Sequence, residues 1–211
     1  GKISKNEINL LNIFDIDYNL IPLTQTQALI ISQDSSKGVF LRGYDNDYLY
    51  KDHFLNNKII KGKIFGNNLN DVVIGYVLAN KLNLEIGDKI KIAIPKTDKT
   101  IFGNIPRFKT LNITGIFNLG MYEYDDNFIF THSIIANKLL LLKDKTFNQI
   151  EIFIKDPNQI DLIENKIIDL IKNNNLNFYT SSWKDSNSGL INALKVEKNV
   201  MFLILTLIII V

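Results

Sequence analysis

The alternation of apolar and polar positions predicts short strands, with helices between them, along most of the chain. Residues 27–32 and 39–43 favour the two strands of a hairpin around a polar turn at 34–38. The β-branched run 72–74 predicts a buried strand, and the apolar spacing from 77 to 84 predicts a helix after it. Further strands are predicted at 89–94, 111–117, 128–130, 150–154 and 177–180. Short strands of this kind favour an α+β fold with small, partly antiparallel sheets.

Two further helices are predicted in the second half of the chain. Ser133 is expected to cap a helix that runs through Leu142. Asp156 and Pro157 predict the start of another, because a carboxylate can cap the first turn and proline suits its first position. The apolar stripe of this amphipathic helix consists of Ile160, Ile163, Ile167, Leu170 and Ile171.

The two ends of the chain differ in hydropathy. Residues 1–6 lack the apolar core of a signal peptide. Residues 200–211 carry no charge and one hydroxyl group. This run is either a buried strand or core helix of a soluble protein, or the first half of a transmembrane helix. The run is longer than buried strands, which typically have about 4 to 8 residues, and shorter than a membrane span, which needs roughly 20 apolar residues. We therefore favour a truncated span.

Composition excludes several classes of protein. Hydrophobic residues make up 46% of the chain and charged residues 22%, which is too apolar for disorder and too charged for a bundle of membrane helices. The net charge is +2 with the signs interspersed, so no basic face for nucleic acid is expected. The absence of cysteine excludes disulfides, thiolate metal sites and thiol catalysis.

Motifs for catalysis or cofactor binding are missing from the sequence. His53 and His132 have no ligand-spaced partner, and both are expected to be ordinary surface residues. The acidic run 123–126 is either a cation site or a solvated hairpin tip. Neither a GxSxG elbow nor a glycine-rich phosphate loop occurs. We therefore expect no enzyme activity, no metal and no cofactor.

Three segments resemble a family of bacterial permeases. Residues 73–90 are similar to the "vIGxxLAxxLxLxxGDxI" segment in extracytoplasmic domains of MacB/LolC/LolE-type permeases. Residues 103–125 resemble the "GxIPR…vvGiFxxGMYEyD" phrase of the LolC-type permease of lipoprotein-releasing ABC transporters. Residues 194–202 look like the start of that family's second transmembrane helix. The resemblance covers roughly residues 38 to 211.

The resemblance implies a discontinuous extracytoplasmic domain of two subdomains that ends in a truncated transmembrane helix. A porter-like βαβ part would combine residues 1–43 with 146–192. A middle, strand-rich subdomain would cover 44–145 and carry a hook hairpin at about 96–106. Residues 193–211 would begin the second transmembrane helix.

The resemblance also implies a function at the bacterial inner membrane, with this domain on the periplasmic side. The permease would extract lipoproteins from the membrane and pass them to a periplasmic carrier, driven by a cytoplasmic ATPase subunit. A second permease copy or a homologue would complete the transporter. No bond would be broken by this chain itself.

The expected carrier-docking site lies on the hook. Family hooks often have T-P-x-G at the tip, whereas this chain has Ile101 at the proline position, so an apolar tip is kept without the rigidity of proline. We expect the tip and its basic flank to form an exposed patch, because large apolar residues shown to water normally mark a partner site. The residues carried over are Thr100, Ile101, Phe102, Gly103, Ile105, Pro106, Arg107 and Lys109.

Two other functions stay open at this point. A MacB-like efflux permease would use the same architecture to contact an adaptor protein. A soluble binding or assembly domain would instead use residues 200–211 as a core element.

Overall fold

The computed structural model describes residues 3, 7–8, 18–32, 35–45, 55–65, 68–100, 103–143 and 145–210. The chain divides into two compact units, Lys2–Phe153 and Ile154–Val211. Strands and helices occur together, and the α+β fold class is confirmed. The expectation of small sheets is wrong, because the described strands join in one eight-stranded sheet. The predicted subdomain boundaries at about residues 44, 146 and 193 stay a prediction.

The first unit is built on one mixed sheet. The order of the strands across this sheet is β2-β7-β4-β6-β5-β1-β8, and β3 pairs with β6. The strands are β1 (Tyr18–Ile31), β2 (Ser36–Tyr44), β3 (Ile59–Gly62), β4 (Asp71–Gly75), β5 (Lys89–Thr100), β6 (Gly103–Phe117), β7 (Phe128–His132) and β8 (Gln149–Ile154).

The sheet closes on itself because β1 pairs along both of its edges. The end of β1 pairs antiparallel with β5, as in Ile30↔Ile92, and with β2, as in Ile30↔Lys37. Strands β2 and β7 pair parallel, so the predicted hairpin of β1 and β2 is joined to the rest of the sheet from both sides. A closed ring of strands leaves few free edges for unwanted pairing with other chains.

The core fills the ring and follows the predicted alternation. Ile90, Ile92 and Ile94 of β5 all point into it and are at most 1% exposed. Every strand of the ring contributes to this cluster. A second, aromatic cluster includes Phe117 and Phe130, whose rings meet edge to face with centroids 5.0 Å apart.

Among the described residues, three short α-helices connect strands of the first unit: α1 (Tyr76–Lys81), α2 (Tyr122–Asn127) and α3 (Ser133–Leu140). Helix α3 has His132 rather than the predicted Ser133 as its N-cap residue, because β7 continues to His132 and the helix begins directly after it. Ile135 and Leu139 of α3 join the core cluster, so this helix seals the ring.

The second unit is helical. A 3₁₀ turn at Pro157–Gln159 leads into α4 (Ile160–Asn173), and the carboxylate of Asp156 accepts a hydrogen bond from the Asn158 backbone N–H at 3.0 Å, as the predicted cap requires. The strand predicted at 177–180 is absent: these described residues pair with no other strand. Alternation in so short a segment does not provide a partner edge. Helices α5 (Trp183–Ser186) and α6 (Ser188–Ile210) follow.

Helix α6 contains the apolar run at the end of the chain. It is a helix, so the alternative of a buried strand is wrong, and none of its residues is buried. Phe202 and Ile209 are 73% and 85% exposed. No helix of the described residues is long and apolar enough to cross a membrane.

Candidate functional site

The predicted hook coincides with a hairpin formed by β5 and β6. The first half of β5 pairs with both β1 and β6, so it belongs to the ring. Beyond a register shift between Ile94 and Thr97, the arms pair from Thr97↔Pro106 to Thr100↔Gly103. Among the strand pairings of the described residues, this outer part pairs only with itself. It therefore extends past the ring as a two-stranded arm.

The structure locates the predicted docking residues unevenly. Thr100, Gly103 and Ile105 lie on the paired arms, and Pro106 is exposed at their base. Ile101 and Phe102 lie outside the described residues. The predicted apolar tip is therefore not tested by the described part of the chain.

Arg107 makes an internal contact at the base of the hairpin. Its half-buried guanidinium donates a hydrogen bond to the carbonyl oxygen of Leu139 at 2.8 Å, at the C-terminal turn of α3. Carbonyls in the last turn of a helix lack partners within the helix, and a cation there also interacts favourably with the helix dipole. Arg107 thus attaches the hairpin base to the helix that seals the ring.

Alternation divides the residues at the base between the two faces of the hairpin. Arg107 and Lys109 pair with Ile94 and Ile92, whose side chains point into the ring. Phe108 lies on the opposite, outer face, where it is 46% exposed and the Lys91 ammonium lies 4.2 Å from its ring centroid. Sequence reasoning missed Phe108, although an exposed aromatic between two predicted docking residues could have been found from the alternation.

Phe108 belongs to an apolar depression on the outer face of the ring. One row of neighbouring residues crosses four strands there: Gly38 pairs with Leu29, Leu29 with Ala93, and Ala93 with Phe108. We call this depression the outer groove. Its volume is about 650 Å³. It continues along β5 and β6 to Pro95 and Pro106, so it reaches the base of the hairpin.

The "GMYEYD" phrase, residues 120–125, and its neighbours form a second distinctive region. We call it the acidic corner, and it consists of Gly75, Leu119, Gly120, Asp125 and Asp126. The Asp125 carboxylate accepts hydrogen bonds from the backbone N–H groups of Leu119 and Gly120, at 2.8 and 3.2 Å. Gly120 has φ +80°, a conformation that favours glycine. The backbone of Gly75 packs so closely on α2 that a Cβ atom there would lie 2.0 Å from the Asp125 carbonyl oxygen.

Asp126 completes the acidic corner with two ion pairs. Lys81 Nζ lies 2.8 Å from one carboxylate oxygen, and Lys37 contacts the other. Burial raises the pKa of Asp126, but the hydrogen bonds and charges of the two lysines outweigh it and hold the pKa below its usual value. The run 123–126 is therefore a short helix with two internally bonded carboxylates, and the predicted solvated hairpin tip is wrong.

His132 is buried, and the expectation of a surface residue is wrong. It is 3% exposed, and the ring of Phe65 lies 4.5 Å from its own, centroid to centroid. Burial lowers the pKa of His132, and the charge of Asp71 only partly offsets this. His53 lies outside the described residues.

A polar network ties β8 to the ring. Arg42 bonds Gln25 through Nε at 2.6 Å and pairs with Glu151 at 2.8 Å. The hydroxyl of Tyr44 donates to the other oxygen of Glu151 at 3.0 Å. Burial, followed by the charge of Glu151, raises the pKa of Tyr44 well above its usual value. With its donors and acceptors used internally, this network fixes the strand rather than offering a site.

Comparison with curated proteins finds LolC sequences. The chain is 30% identical over 192 residues to the lipoprotein-releasing system transmembrane protein LolC of Neisseria meningitidis serogroup B, covering 89% of this chain and 45% of that protein. It is 27% identical over 139 residues to LolC of Xylella fastidiosa, covering 66% and 32%. LolC of Buchnera aphidicola subsp. Schizaphis graminum is 32% identical over 147 residues, covering 67% and 34%. The chain thus spans less than half the length of these relatives. No family model matches it.

Comparison with solved structures shows the fold. The extracellular domain of the noncanonic ABC-type transporter YknZ from Gram-positive bacteria superposes with a TM-score of 0.53 at 12% identity, covering 82% of this chain and 85% of that domain. The periplasmic region of MacB from Actinobacillus actinomycetemcomitans gives a TM-score of 0.49 at 13% identity, covering 84% and 85%.

Proposed function

Because this chain belongs to the LolC-type permeases and shares its fold with an extracellular domain of an ABC transporter, we propose that it is a periplasmic docking domain for lipoprotein release. It receives lipoproteins drawn from the inner membrane and passes them to a soluble carrier. A cytoplasmic ATPase subunit supplies the energy, and a second permease copy or homologue completes the transporter. The relatives' name, "lipoprotein-releasing system", supports this cargo.

The observation that carries the proposal is the hairpin that extends past the closed ring. Residues 97–106 pair only with each other among the described strands, so the ring does not need them for its own sheet. The two residues between the last paired positions, Ile101 and Phe102, are both large and apolar. A hairpin built in this way suits insertion of its apolar tip into a partner's pocket.

The fixed base makes the hairpin a lever as well as a docking element. Arg107 bonds β6 to the C-terminal turn of α3, and Ile92 and Ile94 anchor the paired strand β5 in the core. A displacement of the ring is therefore carried to the hairpin arms. In this proposal, the exposed apolar half of α6, from Val200 to Ile210, lies in lipid and links the domain to the membrane.

Carrier capture tests the docking role. The full chain is immobilised, and retention of the purified periplasmic lipoprotein carrier of the same bacterium is measured. Replacing Ile101 and Phe102 together by Asp is expected to abolish retention, because charged groups would have to enter an apolar contact. Capture that survives this double substitution contradicts the docking role.

A matched control separates docking from general loss of apolar surface. Ile60 and Ile86 are 47% and 45% exposed and do not belong to the hairpin. Their double replacement by Asp introduces the same charge and is expected to leave capture unchanged. Equal losses in both double variants would show that the hairpin has no special role.

A MacB-like efflux permease remains the second candidate, because the fold is shared with YknZ, which is not named for lipoproteins. Such a permease would contact an adaptor protein through the same face. Retention of an adaptor but not of the carrier by the unsubstituted chain would favour this candidate.

A further inference from the structure

We propose that the outer groove binds a single acyl chain. This inference rests on the proposed function, because the acyl chain would come from the lipoprotein. The groove has a volume of about 650 Å³, within the range of roughly 300–1,000 Å³ that is usual for small-ligand sites. Its central row, Gly38, Leu29, Ala93 and Phe108, offers no polar side-chain group.

The shape of the groove follows from the sizes of paired side chains. Leu29 is 39% exposed and stands between Gly38 and Ala93, the two smallest residue types in the chain. Phe108 borders Ala93 on the far side. Small residues beside large ones on one sheet face leave an elongated depression. Two large apolar side chains exposed along it are costly in water, which indicates an apolar occupant.

Backbone pairing excludes a peptide strand as the occupant. An extended peptide binds a sheet by adding to a free edge, where its own N–H and C=O groups find partners. At Leu29, however, β1 is already paired on both edges, with Gly38 of β2 and Ala93 of β5. A peptide lying across this row would lose its hydrogen bonds to water without replacement. A hydrocarbon chain makes no such demand, so it is the occupant that the groove favours.

The position of the groove fits a transfer route. It reaches Pro95 and Pro106, where the hairpin arms leave the ring. At its other rim, the Lys91 ammonium lies over the Phe108 ring and provides a polar border. An acyl chain held here would be sheltered from water immediately beside the proposed carrier-docking hairpin.

Photo-labelling of the full chain in lipid nanodiscs tests the proposal. The probe is a palmitic acid analogue with a diazirine in the middle of its chain, and labelled peptides are mapped by mass spectrometry. Labels are expected on β1 and β5 around Leu29 and Ala93. An octanoic acid analogue has a shorter hydrocarbon chain to bury, and each buried methylene contributes about 0.8 kcal/mol. It is therefore expected to label these strands at about one tenth of the palmitic level or below.

Gly38→Trp is the decisive variant. Gly38 lies beside Leu29, and a Cβ atom added to it meets nothing within 4 Å, so an indole can fill the groove without displacing backbone. Labelling of β1 and β5 is expected to fall about tenfold or more. Lys61→Trp adds the same indole to the exposed strand β3, outside the groove, and is expected to keep labelling within about twofold of the unsubstituted chain.

Each outcome decides the proposal. Equal labelling of Gly38→Trp and the unsubstituted chain, or labels confined to α6, would overturn it. Should Gly38→Trp fail to fold, Phe108→Ser replaces it. This variant removes one wall of the groove at a 46% exposed position, and the same loss of labelling is expected. Carrier capture by the same preparations is measured in parallel. Capture without groove labelling defeats the acyl site alone, whereas labelling without capture defeats the docking function alone.

Discussion

The acidic corner and the outer groove are two unusual surfaces of one unit, and they differ in what they leave unsatisfied. In the acidic corner, Asp125 and Asp126 use their carboxylates on backbone N–H groups and lysines of the same chain. In the outer groove, Leu29 and Phe108 keep large apolar surfaces in contact with water. The polar groups of the acidic corner are satisfied within the folded chain, whereas the exposed apolar side chains of the outer groove favour the binding of a partner. A recognisable sequence phrase can therefore mark packing rather than a binding site.

Glycine replacement should break this comparison most strongly. At Gly75 in the acidic corner, an added Cβ would lie 2.0 Å from backbone that cannot move freely, so Gly75→Ala is expected to lower the free energy of unfolding by about 3 kcal/mol. At Gly38 in the outer groove, the same atom meets nothing within 4 Å, and Gly38→Ala is expected to be neutral or slightly stabilising. Urea unfolding of both variants measures the difference, and similar values for the two would contradict it.

Removing the charge of Asp126 should have the next largest effect. Asp126→Asn breaks two ion pairs of a carboxylate that is 6% exposed, so we expect a loss of about 1 to 3 kcal/mol of unfolding free energy. Glu123→Gln, on the exposed side of the same helix, serves as the control and should change it by about 0.5 kcal/mol or less.

The pH dependence of the same group has a definite sign. Because the pKa of Asp126 is lowered in the folded state, its stabilising contribution is fully present above the unfolded value of about 3.9. It is lost as the pH falls through the folded-state pKa. Asp126→Asn should therefore approach the unsubstituted chain in stability in strong acid, and a constant difference between them across that range would contradict the ion pairs.

His132 should give a smaller effect at milder pH. Since burial lowers its pKa, the unfolded chain takes up the proton first, and stability falls as the pH drops below about 6.5 towards the folded-state pKa. His132→Leu is expected to remove a decrease of a few degrees in the melting temperature between neutral and mildly acidic pH. His53→Gln is the control and should keep that decrease; a decrease that follows His53 instead would contradict the assignment.

Phe108 should give the smallest effect on stability and sharpen the comparison in the other direction. Because its side chain is 46% exposed, Phe108→Ser is expected to change the unfolding free energy by about 0.5 kcal/mol or less while removing acyl labelling of the groove. Phe108→Leu keeps an apolar wall and should keep the labelling. A large loss of stability with unchanged labelling would make Phe108 a core residue.

The sequence predicts strands where alternation is strong and fails where burial depends on distant partners. The alternation of Ile90, Ile92 and Ile94 identifies the ring part of β5. Residues 96–109 lack that pattern, so the alternation does not predict the pairing of the two arms. His132 has polar neighbours on both sides in the sequence. Its burial comes from Phe65, which alternation around position 132 cannot reveal.

The candidate site follows the same division. The hairpin position was predicted from the resemblance around Pro106 and Arg107, and paired strands are found there. The bond from Arg107 to Leu139 and the row that forms the outer groove depend on contacts across strands that are far apart in the sequence. Closure of the ring through both edges of β1 is a tertiary property that local patterns do not encode.

The most direct test of the docking function is crosslinking in living cells from the hairpin tip. Phe102 is replaced by a photo-reactive phenylalanine in the natural gene product, and Ile60 is replaced in the same way as a control on β3. Irradiation is expected to join position 102, but not position 60, to the periplasmic lipoprotein carrier. Adducts of position 102 with an adaptor protein only, or equal carrier adducts from both positions, would contradict the role proposed for this domain.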